Sequence, residues 1–320
     1  MRILIDPAIT KATFFAQGHE IPKVIGGKLR RKNEEVPVHV FRHPRLLTNT
    51  AAIGRLPSSQ RDMIARLLEF HRRVVEYDDV SVEWSDIEYP GVWGPSIDTI
   101  LFAKALHGLL RLPGYRVGVR SFLEIGCGSG FLSKYVIQKK KALGKPLGHA
   151  HLMDINPDAL TCAMRAIEET RGNTLVTYTL NKSEKPLKVA HGYDLVVCNP
   201  PYVPRPHEQH TNPFEGLFLY GEILRKAEDL LSPGGTLITN FSSISRRDVY
   251  PEFRKKFTMR TLVKMKVPLK IPLITAQRSD ESKKWMEYLL RTKRLFVDRS
   301  EKSGYRYWHT IEIVECIVKK

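Results

Sequence analysis

Three short segments of the chain combine polar side chains with proline or glycine in patterns that suit a reaction site. Each follows an apolar run: Asn199-Pro200-Pro201-Tyr202, Glu124-Ile-Gly126-Cys-Gly128-Ser-Gly130, and the single carboxylate Asp154. Proline removes backbone donors and stiffens a turn, which leaves carbonyl oxygens free to accept hydrogen bonds. The first segment could therefore hold a planar nitrogen by its two hydrogens, one on the Asn199 side-chain oxygen and one on the Pro200 carbonyl.

Such an arrangement would act by positioning. The lone pair of an amide or aniline-like nitrogen is delocalised, so the nitrogen is a poor nucleophile until its hydrogens are fixed and the lone pair is aimed. Tyr202 would stack on the planar group, and no strong base is required. The alternative is a rigid loop without chemistry, but the order of the three segments along the chain favours a reaction site.

The glycine segment predicts a turn where the backbone approaches a ligand at the start of a helix. A dinucleotide fingerprint needs its third glycine one residue later, where Phe131 stands. The segment instead resembles motif I of the class I S-adenosylmethionine (SAM) methyltransferases, in which an acidic residue precedes the glycines. A purely structural turn is the alternative.

Asp154 lies 30 positions after Glu124, at the predicted end of a second strand. A carboxylate there can accept hydrogen bonds from both hydroxyls of a ribose. The alternative, capping of the next helix, describes Asn156 or Asp158 better.

The surrounding pattern predicts the elements that position these residues. Apolar runs that alternate with amphipathic ones indicate a parallel sheet covered on both faces. The predicted strands are 121–125, 149–155, 174–180, 193–199 and 235–241, with helices at 100–110, from about 131, at 158–170 and at 215–231. Segments 262–269 and 310–318 could close the sheet as an edge pair. The fold class is α/β, doubly wound, with a mostly parallel seven-stranded Rossmann-like sheet and an N-terminal extension.

Two domains are expected. Residues 1–89 are predicted to be a substrate-recognition region of unassigned fold, in which 58–77 has the spacing of an amphipathic helix. Residues 90–320 would form the α/β domain, with an insertion at about 271–308 that contains a helix near 281–291.

The chain of 320 residues has a net charge of +17, which favours an anionic partner. Residues 245–320 carry 20 basic and 9 acidic residues, beside several aromatic side chains. This basic C-terminal quarter could contact nucleic acid or a ribosome, or it could be a solvated surface.

Four widely spaced cysteines and the lack of a long apolar run predict a cytoplasmic protein without a membrane span. No metal site is expected, because His207 and His210 lack further ligands at metal spacing.

Asn-Pro-Pro-Tyr is motif IV of the amino-methyltransferases, and over roughly residues 90–245 the chain most resembles the HemK-like group. Gly94-Pro-Ser-Ile-Asp98-Thr99 is similar to that group's Pro-x-x-Asp/Glu-Thr segment, and Val203-Pro204 continues motif IV in the same style. The resemblance implies SAM as cofactor, with Glu124, Gly126, Gly128 and Gly130 at its methionine part, Thr99 nearby, Asp154 at the ribose and Ile155 on the adenine. Where the family has an acidic residue near the adenine, this chain offers Asn181 or Ser183. Asn199, Pro200, Pro201 and Tyr202 would hold the substrate.

The resemblance favours a glutamine side chain in a translation protein as the methyl acceptor. The charge distribution favours an exocyclic amine of an RNA or DNA base, which would have to be flipped out of a duplex. A third alternative is a non-catalytic RNA-binding factor that keeps the methyltransferase fold.

Overall fold

The structure is a computed structural model. It describes residues 2–5, 23–31, 34–41, 72–85, 89, 92–181, 187, 189, 192–203, 216–268, 287–297 and 307–319. Ser183, His207 and His210 lie outside these residues.

The larger sheet has the predicted doubly wound architecture. Its main path is β11-β13-β10-β9-β6-β7-β8, with the short β12 paired to β13. The strands are β6 (Ser121–Ile125), β7 (His149–Asp154), β8 (Leu175–Leu180), β9 (Tyr193–Cys198), β10 (Leu231–Ser242), β11 (Phe257–Pro268), β12 (Phe296–Val297) and β13 (Tyr307–Val318). Strands β6 to β10 are parallel. Strands β11 and β13 form the expected edge pair, and they are antiparallel.

Helices cover both faces of this sheet. They are α1 (Ile97–Arg111), α2 (Pro113–Gly118), α3 (Phe131–Ala142), α4 (Pro157–Glu168), α5 (Phe218–Leu230) and α6 (Arg246–Lys256). Alternate strand residues enter different hydrophobic clusters, because successive side chains of a strand point to opposite faces. Leu195 and Val197 pack in the cluster that contains α1, α3 and α4, whereas Val196 and Cys198 pack in the cluster that contains α5 and α6.

The N-terminal region contains a second sheet. Its five described strands run in the order β2-β3-β1-β4-β5, with bounds β1 (Arg2–Ile5), β2 (Lys23–Arg31), β3 (Glu34–Phe41), β4 (Arg72–Tyr77) and β5 (Val80–Ser85). The prediction of a helix over 58–77 is wrong at its C-terminal end, since 72–77 is a strand. That segment pairs with β1 and β5, and sheet pairing overrides a helical spacing of apolar residues.

The β4–β5 hairpin is tied to the helices by its turn. Asp78 accepts hydrogen bonds from Tyr135 Oη at 2.6 Å and contacts His107 Nδ1 at 2.6 Å and Lys139 Nζ at 3.1 Å. Three groups thus converge on one carboxylate. Burial acts to raise the pKa of Asp78, but the hydrogen bonds from these three groups and the charge of Lys139 outweigh it, and the pKa is lowered. The N-terminal sheet is therefore anchored to α1 and α3, the helices beside the candidate site.

Three further features of the described residues concern the C-terminal helix, the cysteines and possible membrane spans. Residues 287–291 are helical, in agreement with the end of the helix predicted near 281–291. All four cysteines are buried and free. Within the described part of the chain, no helix has the length and apolar character needed to cross a membrane.

Candidate active site

The three predicted segments meet at the carboxyl edge of the larger sheet. β6 lies between β7 and β9, so the chain leaves three neighbouring strands at the glycine turn, at Asp154 and at Asn199. The register places Ile125 beside both Met153 and Cys198, the last residues before the two polar groups. Strand order thus brings together side chains that are far apart in sequence.

The backbone N–H groups of the glycine turn are used within the protein. Gly126 N and Cys127 N donate to the Met153 carbonyl at 2.8 and 3.1 Å, and Gly130 N donates to the Cys127 carbonyl at 2.8 Å. Gly128 N donates to Asp154 Oδ2 at 2.9 Å, and Ser129 N donates to the Trp93 carbonyl at 3.2 Å. Because these five donors are occupied, they are not presented to a phosphate group. The geometry agrees with the sequence argument against a dinucleotide.

Two of the glycines permit close packing and one borders open space. A Cβ at Gly128 would lie 2.7 Å from the Trp93 carbonyl oxygen, and a Cβ at Gly130 would lie 2.7 Å from Ala163 Cα. At Gly126, where φ is +74°, a Cβ would meet no atom within 4 Å. Gly126 is therefore the position at which a ligand could approach the turn.

Asp154 stabilises this turn by accepting from Gly128 N, and Asn156 caps the next helix. Its Oδ1 accepts from Asn156 N at 2.9 Å, while Asn156 Oδ1 accepts from Asp158 N at 2.9 Å and caps α4. Burial raises the pKa of Asp154, although the hydrogen bonds that it accepts act in the opposite direction. The half-buried carboxylate stands beside Ile155, which is also half-buried, at the end of β7.

Glu124 lies beneath the turn. Its Oε2 accepts hydrogen bonds from the Ser133 backbone N at 2.8 Å and from the Ser133 hydroxyl, so the carboxyl group is engaged in the first turn of α3. The side chain is 3% exposed, and burial raises its pKa to about 8. A nearby positive charge would favour its ionised form.

The first turn of α1 supplies a residue that the sequence interpretation missed. Thr99 Oγ1 accepts from Ser96 N at 3.2 Å, so the structure engages Thr99 in the cap of α1. Its neighbour Asp98 is buried and accepts a hydrogen bond from Asn199 Nδ2 at 3.2 Å. An acidic residue in the family-like Pro-x-x-Asp-Thr segment was a signal that could have pointed to Asp98.

Both ends of the Asn199 amide are held by other side chains. Its nitrogen donates to Asp98, and its oxygen accepts from Asn240 Nδ2 at 2.6 Å. A carbonyl oxygen has two lone pairs, so one remains for a further donor. Asn199 itself is half-buried, and Pro200 after it is buried. The motif therefore presents a fixed acceptor at the sheet edge.

Tyr202 packs against a buried histidine. The rings of Tyr202 and His309 are 5.7 Å apart and inclined at 31°, and Ser242 Oγ lies 2.9 Å from His309 Nδ1. Burial lowers the pKa of His309 to about 3, so the imidazole is neutral near pH 7 and gives Tyr202 an uncharged partner. Pro201 and Tyr202 are half-buried.

Asn181, predicted to lie near the adenine, and the basic C-terminal quarter are the remaining predicted parts of the site. Asn181 N donates to the Asp154 carbonyl at 2.8 Å, and its half-buried side chain lies at the end of β8. Among the described residues of the basic C-terminal quarter, six cations lie near carboxylates: Arg246 and Lys264 near Glu312, Lys255 near Glu252, Lys256 near Glu228, Arg260 near Glu315 and Arg294 near Asp248. Part of this basic surface is therefore neutralised locally.

The residues at the sheet edge fit SAM. Its ammonium and ribose hydroxyl groups are hydrogen-bond donors, so it needs acceptors where a dinucleotide needs donors. The edge supplies two carboxylates, the half-buried Asp154 and the buried Glu124, and the turn between their strands has open space at Gly126.

Comparison with known proteins agrees with this chemistry. The family model described as "Methyltransferase small domain" matches residues 110–266. Methyltransferase HEMK2 of Homo sapiens is 31% identical over 160 residues, which is 46% of this chain and 70% of that protein. A release factor glutamine methyltransferase of Geobacter sulfurreducens is 28% identical over 197 residues, or 56% of this chain and 63% of the relative. The ribosomal RNA small subunit methyltransferase C of Actinobacillus succinogenes is 26% identical over 166 residues, or 49% and 46%.

The fold and the site thus define a class I methyltransferase. The chain belongs to the HemK-like group of the SAM-dependent methyltransferases, and SAM is the methyl donor of this family. The chain spans 63% of the length of the Geobacter relative, and it covers 29% of a second release factor glutamine methyltransferase, from Prochlorococcus marinus.

Proposed function

We propose that this protein is an N-methyltransferase that methylates a glutamine side-chain amide in a translation protein. The observation that carries the proposal is the fixed Asn199 amide, held by Asp98 and Asn240 at the start of Asn-Pro-Pro-Tyr. When bound, SAM supplies a methyl group on a positively charged sulfur. Glu124, Gly126, Gly128, Gly130, Asp154, Ile155, Thr99 and Asn181 would hold it, as the family resemblance implies.

The chain's own residues orient the substrate. The free lone pair of Asn199 Oδ1 accepts one hydrogen of the substrate amide, and the Pro200 carbonyl accepts the other. Tyr202 packs on the planar amide, and its neutral partner His309 adds no charge beneath it. With its hydrogens fixed, the nitrogen presents its lone pair in one direction, which replaces activation by a strong base. Transfer would form the N–CH₃ bond as the S–CH₃ bond of SAM breaks, with S-adenosylhomocysteine as the neutral leaving group, and the positively charged nitrogen would then release one proton to solvent.

A protein substrate is favoured by two observations. Two of the relatives are named release factor glutamine methyltransferases, and several cations of the basic quarter face carboxylates. Arg260 likewise lies 2.5 Å from Glu315. A surface whose positive charges are paired with carboxylates attracts phosphates less strongly than an unpaired basic surface would, which disfavours a nucleic-acid substrate.

The second candidate is an exocyclic amine of an RNA base, with one observation in its favour. Lys266 Nζ lies 5.4 Å from the Phe296 ring centroid and 5.6 Å from that of Trp308, and Phe296 is 38% exposed. Val267, next to Lys266, pairs with His309, so this cation and aromatic group lie near the site. A cation beside an exposed ring is suited to a phosphate and a stacked base.

One experiment separates the candidates. The protein is incubated with methyl-labelled SAM and extract from cells that lack it, and the label is divided between protease-sensitive and nuclease-sensitive material. Label that protease releases as methylglutamine supports the proposal. Label in RNA or DNA contradicts the glutamine assignment and favours the second candidate. If neither fraction is labelled although SAM binds, macromolecular methylation is contradicted and a non-catalytic role is favoured.

A further inference from the structure

Two residues outside every recognised motif lie directly behind the Asn199 amide. Asn240 is near the carboxyl end of β10, and the pairing of Thr239 with Cys198 places it opposite Asn199. Tyr220 is in the first turn of α5. Both side chains are 0% exposed, although each carries a polar group.

Hydrogen bonds connect these side chains in a fixed direction. Tyr220 Oη lies 2.7 Å from Asn240 Oδ1 and 2.9 Å from the Asn240 carbonyl oxygen. Both neighbours are acceptors, so the hydroxyl must donate. Burial raises the pKa of Tyr220, which keeps this hydrogen in place. Because the Asn240 oxygen faces the tyrosine, its nitrogen faces Asn199 Oδ1 at 2.6 Å.

The burial of polar side chains at these two positions costs free energy, and the hydrogen bonds between them offset that cost. A buried amide and a buried hydroxyl are unfavourable unless their hydrogen bonds are made. The neighbours of Asn240 on β10, such as Ile238 and Phe241, are buried apolar residues. The hydrogen bonds of the polar pair are therefore directed toward Asn199, the residue proposed to hold the substrate.

We propose that Asn240 and Tyr220 are positioning residues that set the orientation of the Asn199 amide. This inference rests on the proposed function. If the Asn199 amide rotated by half a turn, its N–H₂ group would face the substrate N–H₂ group, and two donors would oppose each other. The pair should therefore control the rate of methyl transfer and leave SAM binding unchanged.

The test uses three variants of the full chain. Asn240→Asp keeps the shape but replaces the donor to Asn199 Oδ1 with a carboxylate, which repels that oxygen from its present position. Tyr220→Phe removes the donor that orients Asn240. Thr239→Val is the matched control, because Thr239 is the adjacent buried residue of β10 and its hydroxyl has no hydrogen-bond partner among the described residues.

Initial rates of methyl transfer to a purified, unmethylated translation release factor are measured beside SAM affinity. Misplacement of a positioning group lowers rates by on the order of 10²-fold, so Asn240→Asp should lose about that much kcat, and Tyr220→Phe about tenfold. The Kd for SAM should stay within about twofold in all three variants, and Thr239→Val should keep its rate. A kcat for both Asn240→Asp and Tyr220→Phe that equals the control overturns the proposal.

A second readout does not depend on the substrate. The side-chain N–H₂ resonances of Asn199 are identified in ¹⁵N spectra by their loss in Asn199→Ala. They should shift in Asn240→Asp and Tyr220→Phe and remain in place in Thr239→Val. If the wild type transfers no methyl group to the release factor, the proposed function fails, yet these shifts still support the positioning. Unchanged Asn199 resonances in both variants overturn the positioning proposal. If Asn240→Asp does not fold, Tyr220→Phe alone provides this test.

Discussion

Asp98 and Asn199 stand 101 positions apart in the chain, and Asn199 Nδ2 donates to Asp98 Oδ2 at 3.2 Å. The Ser96 hydroxyl donates to the other carboxylate oxygen, so Asp98 is held in the first turn of α1. This contact joins the segment before the glycine turn to the Asn-Pro-Pro-Tyr motif.

We expect Asp98→Ala to lower the rate of methyl transfer without loss of SAM affinity. The substitution leaves the Asn199 N–H₂ group without its acceptor, and a misplaced group costs on the order of 10²-fold in rate. Asp98→Asn can still accept with its amide oxygen, so its loss should be smaller. Steady-state rates and SAM titrations check this, and full turnover in Asp98→Ala would contradict it.

We expect Gly126→Ala to abolish SAM binding although the protein still folds. Its added methyl group would enter the open space beside the turn, which is where the ligand is proposed to lie. Gly144→Ala is the matched control, since the φ angles are +74° and +70° and neither Cβ would meet an atom within 4 Å. Both variants should lose about 1 kcal/mol of stability from the left-handed backbone. Equal SAM affinity in the two variants would show that Gly126 does not border the site.

SAM affinity should rise with pH up to about pH 8. Burial raises the pKa of Glu124 to about 8, so below that pH the carboxyl group is largely protonated. The positive charges of SAM favour the ionised form of Glu124, so SAM binding below pH 8 releases a proton from this carboxyl group. The SAM affinity should therefore increase with pH by at most about tenfold per pH unit. Calorimetry in two buffers of different ionisation enthalpy measures the release. Glu124→Gln should abolish it, whereas a wild-type affinity that is constant from pH 6 to 8 refutes the coupling.

Stability should fall in acid because of His309. Its pKa is lowered from 6.5 to about 3 by burial, so between these values the unfolded chain binds a proton that the folded protein excludes. This contribution is absent above pH 6.5, and below it the free energy of unfolding decreases by up to about 1.4 kcal/mol per pH unit. Denaturant unfolding from pH 5 to 8 tests this, with His309→Asn as the variant that should lose the dependence. Parallel pH profiles for the two proteins would argue against it.

The sequence predicted those parts of the fold that depend on local pattern. The strands at 121–125 and 193–198 and the start of the helix at 131 follow from apolar runs bounded by glycine or proline. Asp154 and Asn199 were each predicted at the end of a strand, and the carboxyl ends of neighbouring parallel strands share one edge of a sheet.

The residues that hold Asn199 could not be found in this way. Asn240 and Tyr220 occur within an ordinary strand and an ordinary helix, and only the pairing of β9 with β10 brings them behind the motif. Strand β4 falls at the end of the predicted helix, because its pairing with β1 depends on residues about 70 positions away. Pairing between strands that are distant in sequence leaves no periodic pattern in the sequence of either strand.

The most direct test of the central claim is the turnover of Asn199→Ala at saturating SAM, with SAM affinity measured on the same preparation. A purified, unmethylated translation release factor serves as the methyl acceptor in the assay, and the wild type is the reference. If Asn199 orients the substrate nitrogen, turnover should fall by on the order of 10²-fold or more while the Kd for SAM stays within about twofold. Wild-type turnover in a variant that still binds SAM would contradict the account.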